Sequence, residues 1–270
     1  MAEFPVIAGY QIISLLGEGG VAKVYLGIQE KLKRKVAIKL LNPFFLKDKV
    51  VASRFEREAK TSAGLSHSNI IQIFDTGKSG EYHYIVMEYM EESLRERMKL
   101  SPQGKMRPEA ALYIIEEILN ALDYAHFRGI CHRDIKPENI MFRQDSTPVL
   151  VDFGIARVYD ASVQLTGSDS IMGTIFYMSP EQCSALEVDS RSDIYSLGVV
   201  LFEMLTGKKP YQGERWISVL HQHIEDPVPN LPPELNRYQP LIDNMMAKER
   251  KKRISTGAQF MRLLERIRNG

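Results

Sequence analysis

His132-Arg133-Asp134-Ile135-Lys136-Pro137-Glu138-Asn139 decides how this chain is read. Pro137 and the density of charge make the stretch a loop rather than a continuation of the helix before it. Its spacing carries chemistry. A carboxylate at 134, an ammonium two residues on and an amide five residues on can converge on one group in transfer. Asp134 can orient a hydroxyl and accept its proton. Lys136 can stabilise developing negative charge. Asn139 offers an oxygen of the kind that suits a hard divalent cation. A charged loop matching all of these positions by chance is improbable.

Working outward, Asp152-Phe153-Gly154 follows a short apolar strand, and a carboxylate at a strand end suits the same kind of cation. Upstream, Gly17-Glu18-Gly19-Gly20-Val21-Ala22-Lys23-Val24 lies between two expected strands. Its glycines allow a sharp turn whose N–H groups can cradle phosphates. Alone, such a stretch is as often a plain hairpin. It is neither a Walker A loop nor a dinucleotide-binding turn, because a strand follows it. Val36-Ala37-Ile38-Lys39 sets a lysine on an apolar strand. A strand lysine is usually a solvated one, but this one returns beside the glycine loop. Glu58 is the candidate carboxylate to hold it, with Glu56 as competitor. The bland alternative pairs these glutamates with Arg54 and Arg57 on a solvated surface.

The rest of the chain gives these motifs a frame. Strands are expected at Tyr10–Leu16, Lys23–Gln29, Arg34–Leu40, Ile70–Thr76 and Tyr82–Met87, with a helix at Ala52–Ala63 opened by a Ser53/Glu56 capping box and stopped at Gly64. Beyond residue 90 helices dominate: Pro108–Arg128, Ser190–Thr206, Arg215–His223, Tyr238–Ala247 and Thr256–Arg268, the last with a Thr256/Gln259 capping box. Two short strands, Ile140–Phe142 and Val149–Val151, sit between the long helices. The expected fold class is α+β: a small strand-rich lobe, then a larger helical lobe, with a cleft between them.

Composition narrows the function classes. The chain has 270 residues, 44% hydrophobic and 26% charged, enough for one large domain or two modest lobes. Lys+Arg 35 against Asp+Glu 34 gives a net charge of +1 and no support for a polyanion-binding surface. Two distant cysteines, Cys131 and Cys183, exclude a disulfide scaffold and fit a reducing compartment. Cys131 is expected to be a packed thiol and Cys183 a more exposed one. No basic segment precedes an apolar run at the N-terminus, so no secretory signal is expected. The longest nearly apolar stretch, Ile194 to Leu205, is too short to span a bilayer.

Taken in order, these motifs resemble those of the protein kinase family over about Tyr10 to Arg268, down to Ser179-Pro180-Glu181. Lys136-Pro137-Glu138 resembles the Ser/Thr class. Arg54-Phe55-Glu56-Arg57-Glu58-Ala59 and Gly173-Thr174…Tyr177-Met178-Ser179-Pro180-Glu181-Gln182 are similar to bacterial members of eukaryotic type. The resemblance implies a bilobal fold with residues 1–87 as the small lobe, 88–90 as the hinge and 91–270 as the large lobe. It implies ATP and Mg²⁺ as cofactors, with Mn²⁺ as the alternative cation, and phosphoryl transfer to Ser/Thr of protein substrates. Gly17 and Gly19 would cover the phosphates, with Ala22 in place of a third glycine. Lys39 would bind the α/β-phosphates, paired with Glu58. Asp134 would be the base, Lys136 a γ-phosphate contact, and Asn139 and Asp152 the metal ligands. Leu16, Val24, Ala37, Met87 and Met141 would line the adenine pocket, with Glu88 and Met90 offering backbone hydrogen bonds. Glu181 would pair with Arg253, Asp193 would brace the catalytic loop, Phe153 would be structural and Thr174 would contact Asp134 and Lys136.

The resemblance also implies autophosphorylation at Thr166, Ser168 or Ser170, with the phosphate held by Arg133 and Arg157. The segment Glu91–Arg97 reads as a self-neutralising helix face with a Glu91/Arg95 pair. Neither nucleic acid nor membrane contact is expected. Two localisations fit: cytoplasmic, or the cytosolic domain of a membrane-anchored protein. Two other functions compete. A pseudokinase binding module would have lost Lys39, Asp134, Asn139 or Asp152, and all are present. A small-molecule phosphotransferase of related type would lack the Ser-Pro-Glu segment.

Overall fold

The computed structural model describes residues 4–80, 82–153 and 173–269. The first half is an antiparallel sheet of five strands: β1 (Tyr10–Glu18), β2 (Ala22–Gln29), β3 (Arg34–Leu41), β4 (Ile73–Ser79) and β5 (Tyr82–Glu88), in the spatial order β1-β2-β3-β5-β4. Strand β3 is central and alternates strictly. Val36, Ile38 and Leu40 pack into a cluster on one face with Tyr25 and Val86. Ala37 and Leu41 face the other way, into a cluster with Phe55 and Ala59 of helix α1 (Lys49–Ala63). The two-residue period therefore sends Lys39 to the α1 side, into a mostly apolar interlayer.

Helix α1 starts three residues earlier than expected. Its cap is Asp48, whose Oδ1 accepts from the N–H groups of Val50 (2.9 Å) and Val51 (3.2 Å). The Ser53/Glu56 capping box does not form. Ser53 Oγ instead donates to the Val50 carbonyl, and Glu56 pairs with Lys78 at 3.1 Å. Strand β4 begins at Ile73 rather than Ile70, because residues 69–71 are drawn into the other half. Leu150 N–H donates to the Asn69 carbonyl, Ile71 N–H donates to the Leu150 carbonyl, and Asn69 Nδ2 reaches Glu117 Oε2 at 2.8 Å.

The second half is built on α3 (Pro108–His126) and α5 (Ser190–Thr206). The stripe Ala111, Ile114, Ile115, Ile118, Leu122 and Ala125 of α3 is buried throughout, as is α5 from Ser192 to Thr206. Gly207 ends α5 in the left-handed region, φ 71°, as the sequence pattern requires. Around this pair lie α2 (Leu94–Leu100), the single turn α4 (Pro180–Cys183), α6 (Trp216–Glu225), α7 (Gln239–Met245) and α8 (Gly257–Asn269). Helix α2 forms where a helix face was expected at Glu91–Arg97, but it begins only at Leu94. It opens with a complete Ser93/Glu96 capping box. At α8 only half of the expected box forms. Thr256 Oγ1 accepts from Gln259 N–H, but Gln259 Oε1 turns to Ser255 N–H.

A three-stranded sheet carries the central loop: β6 (Glu92–Ser93), just before α2, pairs with β7 (Ile140–Phe142), and β7 with β8 (Pro148–Leu150), the last two lying between α3 and α5 in sequence. Val149 and Val151 pack upward into the α1-side cluster, which joins the two halves. Among the described residues no helix is long and apolar enough to cross a membrane.

Candidate active site

The loop between α3 and β7 is held from below by one buried carboxylate. Asp193 Oδ1 accepts from Arg133 N–H at 2.7 Å, and Oδ2 accepts from His132 N–H at 2.8 Å. His126 Nε2 lies 2.7 Å from the same Oδ2. Burial pushes the Asp193 carboxyl up, but these partners outweigh it and hold it below the usual range. The bracing lets Arg133 sit at φ 66°, a left-handed conformation that an unsupported arginine avoids. Gln182 Nε2, which the sequence reading did not single out, donates to the Arg133 carbonyl at 3.0 Å.

His132 is fully buried. Its Nε2 lies 2.8 Å from the Val151 carbonyl and its Nδ1 accepts from Asp134 N–H, which fixes a neutral imidazole with the proton on Nε2. Burial pushes its pKa down, consistent with that form. Its ring packs at a tilt against the buried ring of Phe153, 4.8 Å between centres. The loop is thereby tied to the Asp152-Phe153 segment.

On this base two polar groups form. In the first, Asn139 Nδ2 donates to the Asp134 carbonyl (2.8 Å) and to Asp134 Oδ2 (3.1 Å). Lys136 Nζ lies 3.1 Å from Asp134 Oδ2 and donates to Thr174 Oγ1 at 3.0 Å. Thr174 Oγ1 in turn donates to Asp134 Oδ1 at 3.2 Å. In the second, Lys39 Nζ sits 2.6 Å from Glu58 Oε1 and 2.8 Å from Asp152 Oδ1. Burial opposes the charge on Lys39, yet Asp152 and Glu58 raise its pKa, so it stays cationic. Burial likewise pushes Asp152 up, and the Lys39 charge more than reverses this. Asp152 is therefore ionised at neutral pH. It is held at φ 57°, which turns the chain at this point.

Above these groups, Ala37, Met87, Met90, Val24 and Met141 share one apolar cluster. Ala37 lies opposite Met87 across the β3/β5 ladder, and Val24 opposite Lys39 across β2/β3. Leu16 is half-exposed on β1. Gly19 N–H closes the turn by donating to the Ala22 carbonyl at 2.8 Å, and nothing lies within 4 Å of a Cβ built at Gly17. At the end of β5, Glu88 forms a two-pronged pair with Arg143 at 2.6 and 2.9 Å. Thr166, Ser168, Ser170 and Arg157 lie outside the described residues.

Farther down, Glu181 and Arg253 are buried and doubly bonded at 2.7 and 2.8 Å. The Glu91/Arg95 pair does not form. Glu91 precedes the helix and lies 3.5 Å from Lys35. Arg95 turns inward to Glu138 (2.7 Å), Glu203 (2.8 Å) and the Tyr177 hydroxyl. The i,i+4 rule failed because α2 begins only at Leu94. Cys183 is packed rather than exposed, its Sγ 3.9 Å from the Met178 carbonyl. Burial pushes its thiol up to about 12, and that of Cys131 to about 11.

A family profile described as "Protein kinase domain" matches residues 10–265. The serine/threonine-protein kinase PknB of Mycobacterium tuberculosis is 38% identical over 273 residues, covering 97% of this chain and 43% of that protein. PrkC of Bacillus subtilis, also a serine/threonine-protein kinase, is 40% identical over 221 residues, 82% of this chain and 34% of that protein. The chain thus spans less than half the length of these curated relatives. Among solved structures, the PknI kinase domain of Mycobacterium tuberculosis superposes with a TM-score of 0.72 at 25% identity, over 99% of both chains. A profile match over nearly the whole chain, joined to relatives at 38% and 40% identity, settles the lineage: the chain belongs to the protein kinase family, and its similarity there is to bacterial serine/threonine kinases.

Proposed function

We propose that this protein transfers the γ-phosphoryl group of ATP to serine and threonine hydroxyls of proteins, using the residues gathered around the 132–139 loop. The observation that carries the reading is the double pairing of Lys39 with Glu58 and Asp152. It draws together a strand lysine, a helix glutamate and an aspartate distant in sequence, in the arrangement that phosphate binding needs. The apolar cluster of Ala37, Met87, Met90, Val24 and Met141 would receive the adenine ring, with Leu16 at its rim. Backbone groups of Glu88 and Met90 would face its polar edge, in a hinge at residues 88–90. Residues 1–87 and 91–270 would then act as two lobes closing on the nucleotide. Gly17 and Gly19 would let the β1/β2 turn approach the phosphates.

Protein kinases generally use Mg²⁺ with ATP, and the donor set here fits such a cation. Asp152 is an ionised carboxylate whose side chain keeps part of its surface open, and Asn139 has its amide nitrogen committed to Asp134, which turns its oxygen the other way. Both are hard oxygen ligands. Bound there, Mg²⁺ or Mn²⁺ would neutralise charge on the phosphates. The chain's own residues do the rest. Asp134 orients the acceptor hydroxyl and takes its proton. Lys136 balances charge on the group in transfer, and Thr174, bonded to both, occupies the place where an acceptor hydroxyl approaches.

A chain incubated with Mg²⁺, labelled ATP and a generic protein acceptor is expected to label the acceptor. Asp134→Asn is expected to lower that labelling at least a hundredfold. Equal labelling by both proteins would exclude catalysis at this site. The same reading extends to self-modification at Thr166, Ser168 or Ser170. Arg133 supports it, because its Nε is buried without a partner among the described residues. Tandem mass spectrometry of the active protein is expected to find phosphate within residues 166–170, and an unmodified segment would exclude it. The domain would work free in the cytoplasm or on the cytosolic side of a membrane, where ATP is supplied.

A further inference from the structure

A groove of about 720 Å³ opens beside the acceptor end of the site. Phe176, Glu203, Lys208, Lys209, Gln212 and Glu214 line it. Phe176 follows Thr174 by two residues, and Thr174 is bonded to both Asp134 and Lys136. A polypeptide whose hydroxyl reaches Asp134 therefore runs past this groove on one side of its acceptor residue.

The charges there are unequal. Glu203 is buried, and its carboxylate is saturated by Arg95 at 2.8 Å and by the Tyr177 hydroxyl at 2.5 Å. Glu138, the other carboxylate near the loop, is engaged by Arg95 Nε at 2.7 Å. The chain's own arginine thus already occupies the two acidic groups that would otherwise attract a basic acceptor. Lys209 is in the opposite position. Its ammonium lies 3.5 Å from the centre of the Phe176 ring and 5.9 Å from that of Tyr177. It makes no ion pair among the described residues. Burial destabilises its charge and outweighs the favourable fields of Glu203 and Glu138, and the nearby Arg95 adds repulsion. A half-buried cation on the wall of a groove, held over a ring and with no carboxylate in direct contact among the described residues, is a ready partner for an anion. Lys208 beside it adds a second positive charge, and Glu214 is the other charged residue on the wall besides Glu203.

We infer that this groove selects acceptor polypeptides carrying an anionic side chain close to the phosphorylated residue, with Lys209 as the residue that reads it. The inference rests on the kinase reading above and specifies its substrate class. The anion can be a carboxylate or the phosphate of a previously modified residue, since both satisfy an ammonium.

The test uses a neutral acceptor peptide and a series derived from it. A single glutamate is moved through successive positions on either side of the acceptor, with matching phosphoserine and lysine series. At one position glutamate is expected to raise kcat/KM about fivefold over the neutral peptide. A larger rise with phosphoserine than with glutamate there would identify the phosphate as the preferred source. A rise no larger than glutamate's would identify the carboxylate. Lys209→Gln is expected to bring the acidic-to-neutral ratio to about one, Lys209→Arg to keep it, and Lys209→Glu to favour lysine at that position. Binding of the same peptides with the acceptor replaced by alanine, followed by fluorescence anisotropy, reads the preference without turnover. Thermal melting confirms that each variant is folded. No acidic preference at any position, or one that survives Lys209→Gln, overturns the inference while leaving the kinase reading intact. Failure to phosphorylate every peptide and every generic protein overturns the kinase reading instead. In that case the binding series still decides whether the groove prefers anions.

Discussion

Asp193 sits where one carboxylate must satisfy three donors, two of them backbone N–H groups of the loop that carries Asp134. Asp193→Asn keeps the shape but replaces one acceptor oxygen with an NH₂ that faces donors. The expected cost is roughly 2–4 kcal/mol, because buried charge-assisted bonds are lost and a donor is left facing donors. Arg133 would no longer be held at φ 66°, so phosphoryl transfer is expected to fall more steeply than stability alone explains. Urea denaturation, paired with labelling at a temperature where the variant remains folded, checks both. At this scale the sequence was informative where motif spacing is rigid. Asp134, Lys136 and Asn139 are near neighbours in the chain, so their convergence was legible. Arg95 was misread because its partners, Glu138, Glu203 and Tyr177, are far away in sequence, and no local pattern announces them.

Elements were legible in proportion to their local signals. Helix α5 falls on its expected bounds because an Asp189 cap and a Gly207 stop bracket a continuous apolar run. Gly207 is required twice over. It lies in the left-handed region, and a Cβ there would sit 2.3 Å from the Gln103 carbonyl. Gly207→Ala is therefore expected to destabilise the protein by about 2 kcal/mol, or more if the 103–105 turn cannot shift. Thermal melting would register this as a lowered midpoint, and an unchanged midpoint would mean that the turn yields freely. Helix α1 was misplaced at its start because Asp48, its cap, lies beyond an irregular turn that hides the pattern. Strand β4 was drawn too long because Ile70 and Ile71 look β-branched and strand-like. Only the hydrogen bonds to Leu150 show that they serve the other half.

Taken whole, the molecule contains several histidines kept neutral by burial. His132 and His223 are both fully buried, and burial lowers their pKa values from 6.5, that of His223 to about 3. Between those values and 6.5 the unfolded chain binds protons that the folded chain refuses. Stability is therefore expected to fall as pH drops below about 6.5, by up to about 1.4 kcal/mol per pH unit for each such group. The carboxylates of Asp193 and Glu181, held below their ordinary values, extend the loss below about pH 4. Urea denaturation at pH 7 and pH 5 measures the slope. His223→Gln is expected to flatten it, and an unaltered slope would show that His223 titrates normally in the fold. The sequence by itself determined the two-part architecture, the order of the motifs and the identity of the chemical groups, because periodicity, caps and short-range spacing are local properties of the chain. Only the tertiary structure decided the distant meetings that no motif announced: Lys39 with Asp152, Arg95 with Glu203, and Lys209 left beside an open groove. Those pairings depend on how buried charges find counter-charges once the helices and sheet have packed, and a linear pattern does not encode that.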